Sequence, residues 1–215
     1  MNLSLFHLVR EPKIKLDKNP LLLLLHGYGS NEADLFSFAD ELPEDHYVIS
    51  VRAPYDMQYG SYAWYAINFD ADENKFSDLD QAKISRDLIV TFLDELIENY
   101  PIDPKNISLI GFSQGSILSF AVALSYPQKI KSIVAMSGYL NLNMATDNYE
   151  NNDFSSLKVF ASHGTSDQVI PIEWARKTPA ILEKLGIKTT YKEYPIGHGV
   201  SPQNFYDLNK WLVEK

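Results

Sequence analysis

Residues 107–118 read Ile-Ser-Leu-Ile-Gly-Phe-Ser-Gln-Gly-Ser-Ile-Leu. The first four of these residues are typical of a buried strand, and those from Ile117 onward are typical of a helix. The G-x-S-x-G pattern from Gly111 to Gly115 therefore lies at a strand-to-helix turn, the setting of a nucleophile elbow. A serine held there can be activated by an adjacent base. We expect strand and helix to pass so closely that a Cβ at Gly111 or Gly115 would clash.

A serine nucleophile in this setting requires a carboxylate and then a histidine, each beyond a later strand. Residues 158–162 read as a buried strand, and Asp167 lies in the turn that follows. Residues 188–194 alternate as a strand does and lead to His198, which lies between two glycines. Catalytic groups of open α/β sheets lie at such carboxyl ends of strands. The prediction is that His198 takes the proton of Ser113, while Asp167 fixes the imidazole tautomer and stabilises the cation that forms.

One of these assignments has a structural alternative. Asp167 could be an ordinary turn residue, because aspartate is favoured in turns. The chain contains four other histidines, His7, His26, His46 and His163, and none of them follows the carboxylate. We interpret His26 and His163 as structural residues at strand ends, since each precedes a glycine after an apolar run.

An oxyanion hole is predicted beside the elbow. Residues 21–25 form a continuous apolar run, as expected of a central parallel strand covered on both faces, and the run ends in His26-Gly27-Tyr28-Gly29. The predicted donors are the backbone N–H groups of Tyr28 and Gln114. A phosphate-binding glycine loop is the alternative, but this stretch has neither of the glycine spacings typical of such loops.

Strand-like and helix-like segments alternate along the chain. Predicted strands cover residues 21–25, 47–51, 107–112, 132–136, 158–162 and 189–194, and predicted helices cover 32–41, 80–99, 114–125, 174–185 and 203–213. This order predicts an α/β fold with a mostly parallel central sheet and helices on both faces. We expect a single domain over residues 1–215 without a large lid. In the second helix, a spacing of four predicts one buried face through Ile84, Leu88, Phe92, Leu96 and Tyr100.

Composition excludes several kinds of function. The net charge of −9 and the isoelectric point near 5.0 argue against binding of nucleic acid or an anionic membrane surface. The chain has no cysteine, which excludes disulfides, thiolate catalysis and sulfur-based zinc sites. No ligand spacing indicates a metal. The polar stretch over residues 68–80, which is rich in acidic residues, predicts a solvated surface loop. A calcium-binding loop is the alternative, but the sequence pattern of such loops is not present.

We also expect no secretory signal and no integral membrane association. The first residues lack a basic region and a small-residue cleavage site. The run over residues 21–25 is far shorter than the ~20 residues that span a bilayer. A cytoplasmic location is therefore predicted.

Several spaced motifs together resemble the phospholipase/carboxylesterase family of α/β-hydrolases, which includes the acyl-protein thioesterases. They are Leu25-His26-Gly27-Tyr28-Gly29, Arg52-Ala53-Pro54, the aromatic stretch around Trp64, Gly111-Phe112-Ser113-Gln114-Gly115, His163-Gly164-Thr165-Ser166-Asp167 with Pro171, and Gly197-His198-Gly199. The resemblance implies cleavage of carboxylic esters or thioesters through an acyl-serine intermediate, with no cofactor. It also implies that Trp64 helps to line the acyl pocket, although Trp64 could equally be a packing residue.

The resemblance leaves the substrate open. Small or medium acyl esters and thioesters are the leading class, and lysophospholipids or acylated proteins are the alternative; a homodimer is also consistent with the family. A catalytically silent binding protein would normally lack a triad residue, and none is missing here. The sequence departs from many relatives at Ser116, which replaces a glycine but is small enough to leave the elbow intact. Residues 1–18 match no family signature and predict an edge hairpin or strand.

Overall fold

The computed structural model describes residues 3–69 and 75–214. Its strands are β1 (His7–Arg10), β2 (Asn19–Leu25), β3 (Tyr47–Val51), β4 (Tyr55–Asp56), β5 (Tyr62–Ala63), β6 (Ile67–Phe69), β7 (Lys75–Ser77), β8 (Ile102–Phe112), β9 (Ser132–Met136), β10 (Lys158–Gly164) and β11 (Lys188–Tyr194). Its α-helices are α1 (Ala33–Phe36), α2 (Leu79–Asn99), α3 (Gln114–Ser125), α4 (Ile172–Ala175), α5 (Thr178–Lys184) and α6 (Pro202–Val213). Short 3₁₀ helices cover Ala39–Glu41, Pro127–Lys129, Leu142–Met144 and Tyr149–Asn151.

Seven strands form one sheet in the order β1-β3-β2-β8-β9-β10-β11. All neighbouring pairs are parallel except β1 with β3, which is antiparallel at the edge. The predicted α/β fold with a mostly parallel sheet is therefore confirmed, and the N-terminal segment forms an edge strand. Strands β4 with β5 and β6 with β7 form two small antiparallel hairpins.

The leucines of β2 show why its sequence is apolar throughout. Leu21, Leu23 and Leu25 belong to one hydrophobic core, which helices α2 and α3 cover. Leu22 and Leu24 point to the opposite face and pack in a second core, to which α1 and α6 contribute Leu35 and Leu208. Because both faces of the sheet are covered, alternation of apolar and polar residues is lost in this central strand.

Two predicted helices are each divided in the structure. The helix predicted over 32–41 becomes α1 and a 3₁₀ helix, because the N–H groups of Ser37 and Phe38 donate to carbonyls three residues earlier. The helix predicted over 174–185 becomes α4 and α5. Pro179 lies in the first turn of α5 and has no N–H to continue the ladder from α4.

The predicted buried face of α2 is wrong at its start. Ile84 is 58% exposed, and the buried positions centre on Ile89, Phe92, Leu93 and Leu96. A spacing of four advances a row by about 40° around the helix axis at each step, so such a row leaves the buried face within a few turns.

Two further boundaries differ from the predictions. Strand β8 begins at Ile102, and its pairing with β2 is interrupted between Ile102 and Ile107, around Pro104. The loop predicted over residues 68–80 is in part a hairpin, followed by α2 with Asp78 as its N-cap. Its Asp70, Asp72 and Glu73 lie outside the described residues.

Candidate active site

The elbow places Ser113 in a backbone conformation with positive φ, which residues other than glycine seldom adopt. Its φ is 52° and its ψ is −115°, between the end of β8 and the first turn of α3. A Cβ at Gly111 would lie 2.5 Å from the carbonyl oxygen of Gly115, and one at Gly115 would lie 2.0 Å from the carbonyl oxygen of Leu25. The predicted close approach is confirmed, and the structure adds that Gly115 is needed for contact with the neighbouring strand β2.

The structure brings the three predicted side chains together. His198 Nε2 lies 2.9 Å from Ser113 Oγ, and His198 Nδ1 lies 2.7 Å from Asp167 Oδ2. Because a carboxylate can only accept, Nδ1 carries the proton and the lone pair of Nε2 faces the serine hydroxyl. The ring of Phe112 packs against the imidazole at a centroid distance of 5.0 Å. This arrangement allows proton transfer from serine to histidine.

Asp167 is held as an anion by three hydrogen-bond donors and a contact with a second imidazole. Oδ1 accepts from the backbone N–H groups of Val169 and Ile170 at 2.8 and 2.9 Å. Oδ2 faces His198 and also His163 Nε2, at 3.2 Å. Burial alone would raise the pKa of Asp167, but the backbone donors and His198 outweigh it and bring the pKa below its ordinary value.

Backbone hydrogen bonds join the loops that carry Asp167 and His198. Thr165 N–H donates to the carbonyl of Tyr194, and Ser166 N–H donates to that of Ile196, at 2.8 and 3.0 Å. A Cβ at Gly164 would lie 2.2 Å from the carbonyl oxygen of Gly197, so the two backbones touch. The separation of the two loops is therefore set by the backbone.

The two residues with predicted oxyanion donors belong to the same cleft as Ser113. Tyr28 and Gln114 both line this cleft, and within residues 3–69 and 75–214 neither backbone N–H has an acceptor. The loop after β2 is fixed to strand β5, since Gly29 N–H donates to Tyr62 and Tyr62 N–H donates to Ser30. Two free N–H groups near a serine hydroxyl can stabilise the negative oxygen of a tetrahedral intermediate.

A cleft of about 510 Å³ opens above the serine and histidine. Tyr28, Tyr65 and Tyr139 contribute aromatic surface, and the polar lining includes Ser30, Asp34, Ser77, Asn141 and Asn143. The aliphatic and tryptophan lining consists of Ile67, Leu79, Ile117, Val169, Ile170 and Trp174. Burial raises the pKa of both Tyr65 and Tyr139, so their phenols stay neutral at physiological pH.

Residues 9–214 match the phospholipase/carboxylesterase family. The chain belongs to this family. The resemblance predicted from the spaced motifs is therefore confirmed.

Similar proteins carry related names. Probable carboxylesterase SOBER1-like of Arabidopsis thaliana is 30% identical over 115 residues, which are 53% of this chain and 44% of that protein. The match thus spans less than half of the plant protein. Acyl-protein thioesterase 1 of Kluyveromyces lactis is 32% identical over 154 residues, 70% of this chain and 67% of its own. The Bacillus cereus carboxylesterase structure has a TM-score of 0.84 at 23% identity, over 98% of this chain and 94% of that one, and shows the same fold.

Trp64, predicted from the family resemblance to line the acyl pocket, lies beneath the cleft and not on its surface. Its side chain is fully buried, and its indole N–H donates to the carbonyl of His26 at 2.9 Å. The Gln114 side chain accepts from Trp64 N–H and donates to the carbonyl of Tyr65, both at 2.8 Å. The prediction is corrected: Trp64 supports the floor, and its neighbour Tyr65 reaches the cleft.

The serine that distinguishes this chain from many family members fits the elbow. The Ser116 hydroxyl lies 2.6 Å from the carbonyl oxygen of Gly111 and 2.7 Å from that of Met136, and donates its proton to one of them. A Cβ at Gly138 would lie 2.5 Å from the Cβ of Ser116. A glycine opposite the extra side chain thus makes room for it.

Arg52, part of a family motif, holds the end of the loop that follows β2 through Glu32. Its guanidinium donates to both carboxylate oxygens of Glu32 at 2.6 and 2.7 Å and lies between the rings of Phe6 and Tyr62. These hydrogen bonds lower the pKa of Glu32. His26 is structural, as predicted, because it accepts from Ala53 N–H and burial lowers its pKa.

The sequence did not predict three features that support the candidate site. These are the side-chain hydrogen bonds of Gln114, the pair of Glu32 with Arg52, and the contact of His163 with Asp167. Only His163 had a local signal, since it lies four residues before the acid. Over the described ranges, no group of three or more potential metal ligands is found. Nor does any helix in these ranges have the length and apolarity that crossing a bilayer requires.

Proposed function

We propose that the chain is a serine hydrolase that cleaves carboxylic esters or thioesters of small to medium acyl chains. The observation that carries this proposal is the line of contacts from Asp167 through His198 to Ser113, at 2.7 and 2.9 Å. These three residues form the catalytic triad, and the N–H groups of Tyr28 and Gln114 form the oxyanion hole. Family membership and the names of the relatives support the same reaction class.

The geometry supports a reaction in two halves. Ser113 Oγ attacks the carbonyl carbon while His198 Nε2 takes the hydroxyl proton, and the oxyanion accepts hydrogen bonds from Tyr28 and Gln114. The bond to the leaving alcohol or thiol breaks as His198 returns the proton to it, which leaves an acyl-serine. Water then gives a proton to His198 and attacks the acyl carbon, and the free acid leaves as the proton returns to Ser113.

The alternative substrate class is a lysophospholipid or an acylated protein. The relative named acyl-protein thioesterase 1 favours this alternative. We further propose that residues 1–215 act as one α/β-hydrolase domain in the cytoplasm. A homodimer is proposed on family grounds, and light scattering of the purified protein tests it.

The test is hydrolysis of p-nitrophenyl esters from acetate to palmitate, with Ser113→Ala as the blank. Ser155→Ala, at an exposed serine, is the matched control. Turnover that disappears only in Ser113→Ala is expected, with preference for short or medium chains. A preference for the longest chains would favour the deacylase alternative.

A serine-directed fluorophosphonate probe separates the remaining outcomes. Labelling of the wild type but not of Ser113→Ala, without ester turnover, would point to an unusual acyl substrate. A folded protein that neither reacts with the probe nor hydrolyses any ester would contradict the proposal and favour a silent binding protein.

A further inference from the structure

His163 lies at the end of β10, against the side of Asp167 that does not face the cleft. The side chains of His163 and Asp167 are both fully buried. His163 Nε2 lies 3.2 Å from Asp167 Oδ2 and 2.9 Å from the carbonyl oxygen of Ile170. The same carboxylate oxygen lies 2.7 Å from His198 Nδ1. Two imidazoles therefore approach one oxygen of the proposed triad acid.

The contacts of His163 determine its tautomer. Nε2 carries the proton, because it donates to the carbonyl of Ile170 at 2.9 Å. The carboxylate of Asp167 lies beside this N–H as an electrostatic contact at 3.2 Å. Nδ1 is buried and has no hydrogen-bond partner among the described residues. Buried polar atoms are nearly always paired, so an imidazole with one unpaired nitrogen is unusual in a core. Its presence indicates that the contacts of the other nitrogen, Nε2, are important.

Two hydrogen bonds link Asp167 to His163 through the backbone of Ile170. Ile170 N–H donates to Asp167 Oδ1, and the carbonyl of Ile170 accepts from His163. His163 therefore holds the turn after Asp167 by a hydrogen bond, and its ring lies in contact with the oxygen that faces His198. An apolar side chain of similar size would fill the volume but would not donate to the carbonyl of Ile170.

We propose that His163 is a positioning residue that fixes the carboxylate of Asp167 for its hydrogen bond to His198. The inference rests on the proposed function, in which Asp167 is the triad acid. His163 touches neither substrate nor the reacting atoms, so it acts only through Asp167.

The test is a double-mutant cycle that combines His163→Met with Asp167→Asn, with His163→Gln alongside. His163→Met removes the N–H donor, and a displaced acid should lower kcat by about tenfold to a hundredfold with KM little changed. The glutamine amide can present an N–H at nearly the same place, so His163→Gln should retain most of the activity. In the Asp167→Asn background, His163→Met should cause little further loss, because residues that act through one another are not additive.

Different results would overturn the inference. An equal loss from His163→Met in both backgrounds would mean that His163 supports the fold alone, and equal losses in the glutamine and methionine variants would mean that the N–H donor is irrelevant. The control is His46→Met, at a half-buried histidine beside the amino ends of the strands, whereas Asp167 lies beyond their carboxyl ends. If His163→Met does not fold, His163→Phe fills the volume without the donor.

Proton NMR gives a readout that needs no substrate. The hydrogen bond from His198 Nδ1 to Asp167 should produce a resonance far downfield of the amides in the wild type and in His163→Gln. In His163→Met we expect this resonance to shift or broaden, and an unchanged resonance would contradict the proposal. Absence of wild-type turnover with this NMR pattern intact would count against the proposed function and not against the positioning role.

Discussion

His198 Nδ1 lies 2.7 Å from Asp167 Oδ2, although 31 residues of chain separate them. Both residues lie on loops that follow adjacent parallel strands, β10 and β11. The backbones of the two loops touch at Gly164 and Gly197, and this contact fixes the distance between the loops independently of either side chain. The acid–histidine pair is therefore part of a rigid junction, and substitution of one side chain should leave the other in position.

Asp167→Asn is expected to reduce kcat by about 10⁴ without unfolding the protein. The amide can present N–H instead of oxygen to His198 and would then favour the wrong tautomer. Steady-state hydrolysis of a p-nitrophenyl ester measures the loss, and circular dichroism checks the fold. Asp153→Asn, at an aspartate that accepts from the Ser155 N–H in an exposed turn, is the matched control. A loss of less than about tenfold in Asp167→Asn would refute its role as the triad acid.

Gly115→Ala is expected to destabilise the fold by more than about 3 kcal/mol or to prevent folding. The new methyl group would lie 2.0 Å from the carbonyl oxygen of Leu25, and both backbones belong to packed elements. Gly199→Ala is the control, because a Cβ there meets nothing within 4 Å. Urea unfolding measures both variants, and equal stability of the two would show that α3 and β2 can move apart.

Gln114→Met should reduce stability by about 2–4 kcal/mol, because it leaves a buried N–H of Trp64 and a buried carbonyl of Tyr65 unpaired. Tyr65 lines the cleft, so kcat/KM for the ester should also fall. Gln128→Met, at an exposed glutamine, should change stability by less than about 0.5 kcal/mol. Thermal and urea unfolding of both variants test the expectation, which fails if their effects are alike.

The pair of Glu32 with Arg52 predicts a pH-dependent contribution to stability. Hydrogen bonds from Arg52 lower the pKa of Glu32 below its ordinary value near 4.5. A depressed carboxylate pKa stabilises the folded state above the ordinary value, and this stabilisation is lost as pH falls through the lowered pKa. The unfolding free energy of the wild type should therefore fall as the pH drops below about 4.5. In Glu32→Gln this fall should be smaller, because residue 32 no longer takes up a proton.

Urea unfolding at a series of pH values measures this effect. Glu98→Gln, at an exposed position of α2, controls for the loss of one negative charge. The same acid-side slope in wild type and Glu32→Gln would contradict the prediction.

Local sequence was sufficient where a feature depends on covalent geometry and on neighbours along the chain. The two elbow glycines predict the sharp turn at Ser113, and the leucine run predicts a strand covered on both faces. Parallel strands place their carboxyl ends at one edge, so strand order along the chain indicated which acid and which histidine would meet the serine. The family resemblance rests on the same short motifs.

Contacts between segments that are distant in the chain could not be predicted from local sequence. Trp64 proved to lie under the cleft because its hydrogen bonds to Gln114 and His26, both distant in the chain, fix its side chain inside the protein. The buried face of α2 differed from its apolar row because the sheet and α3 determine which side is covered. His163 looked like a strand-end residue, and only the fold of the following turn brings its Nε2 to Asp167. Sequence by itself thus determined the fold class and the order of chemical groups, whereas tertiary structure decided their contacts, because side-chain burial and hydrogen-bond partners depend on residues far away in the chain.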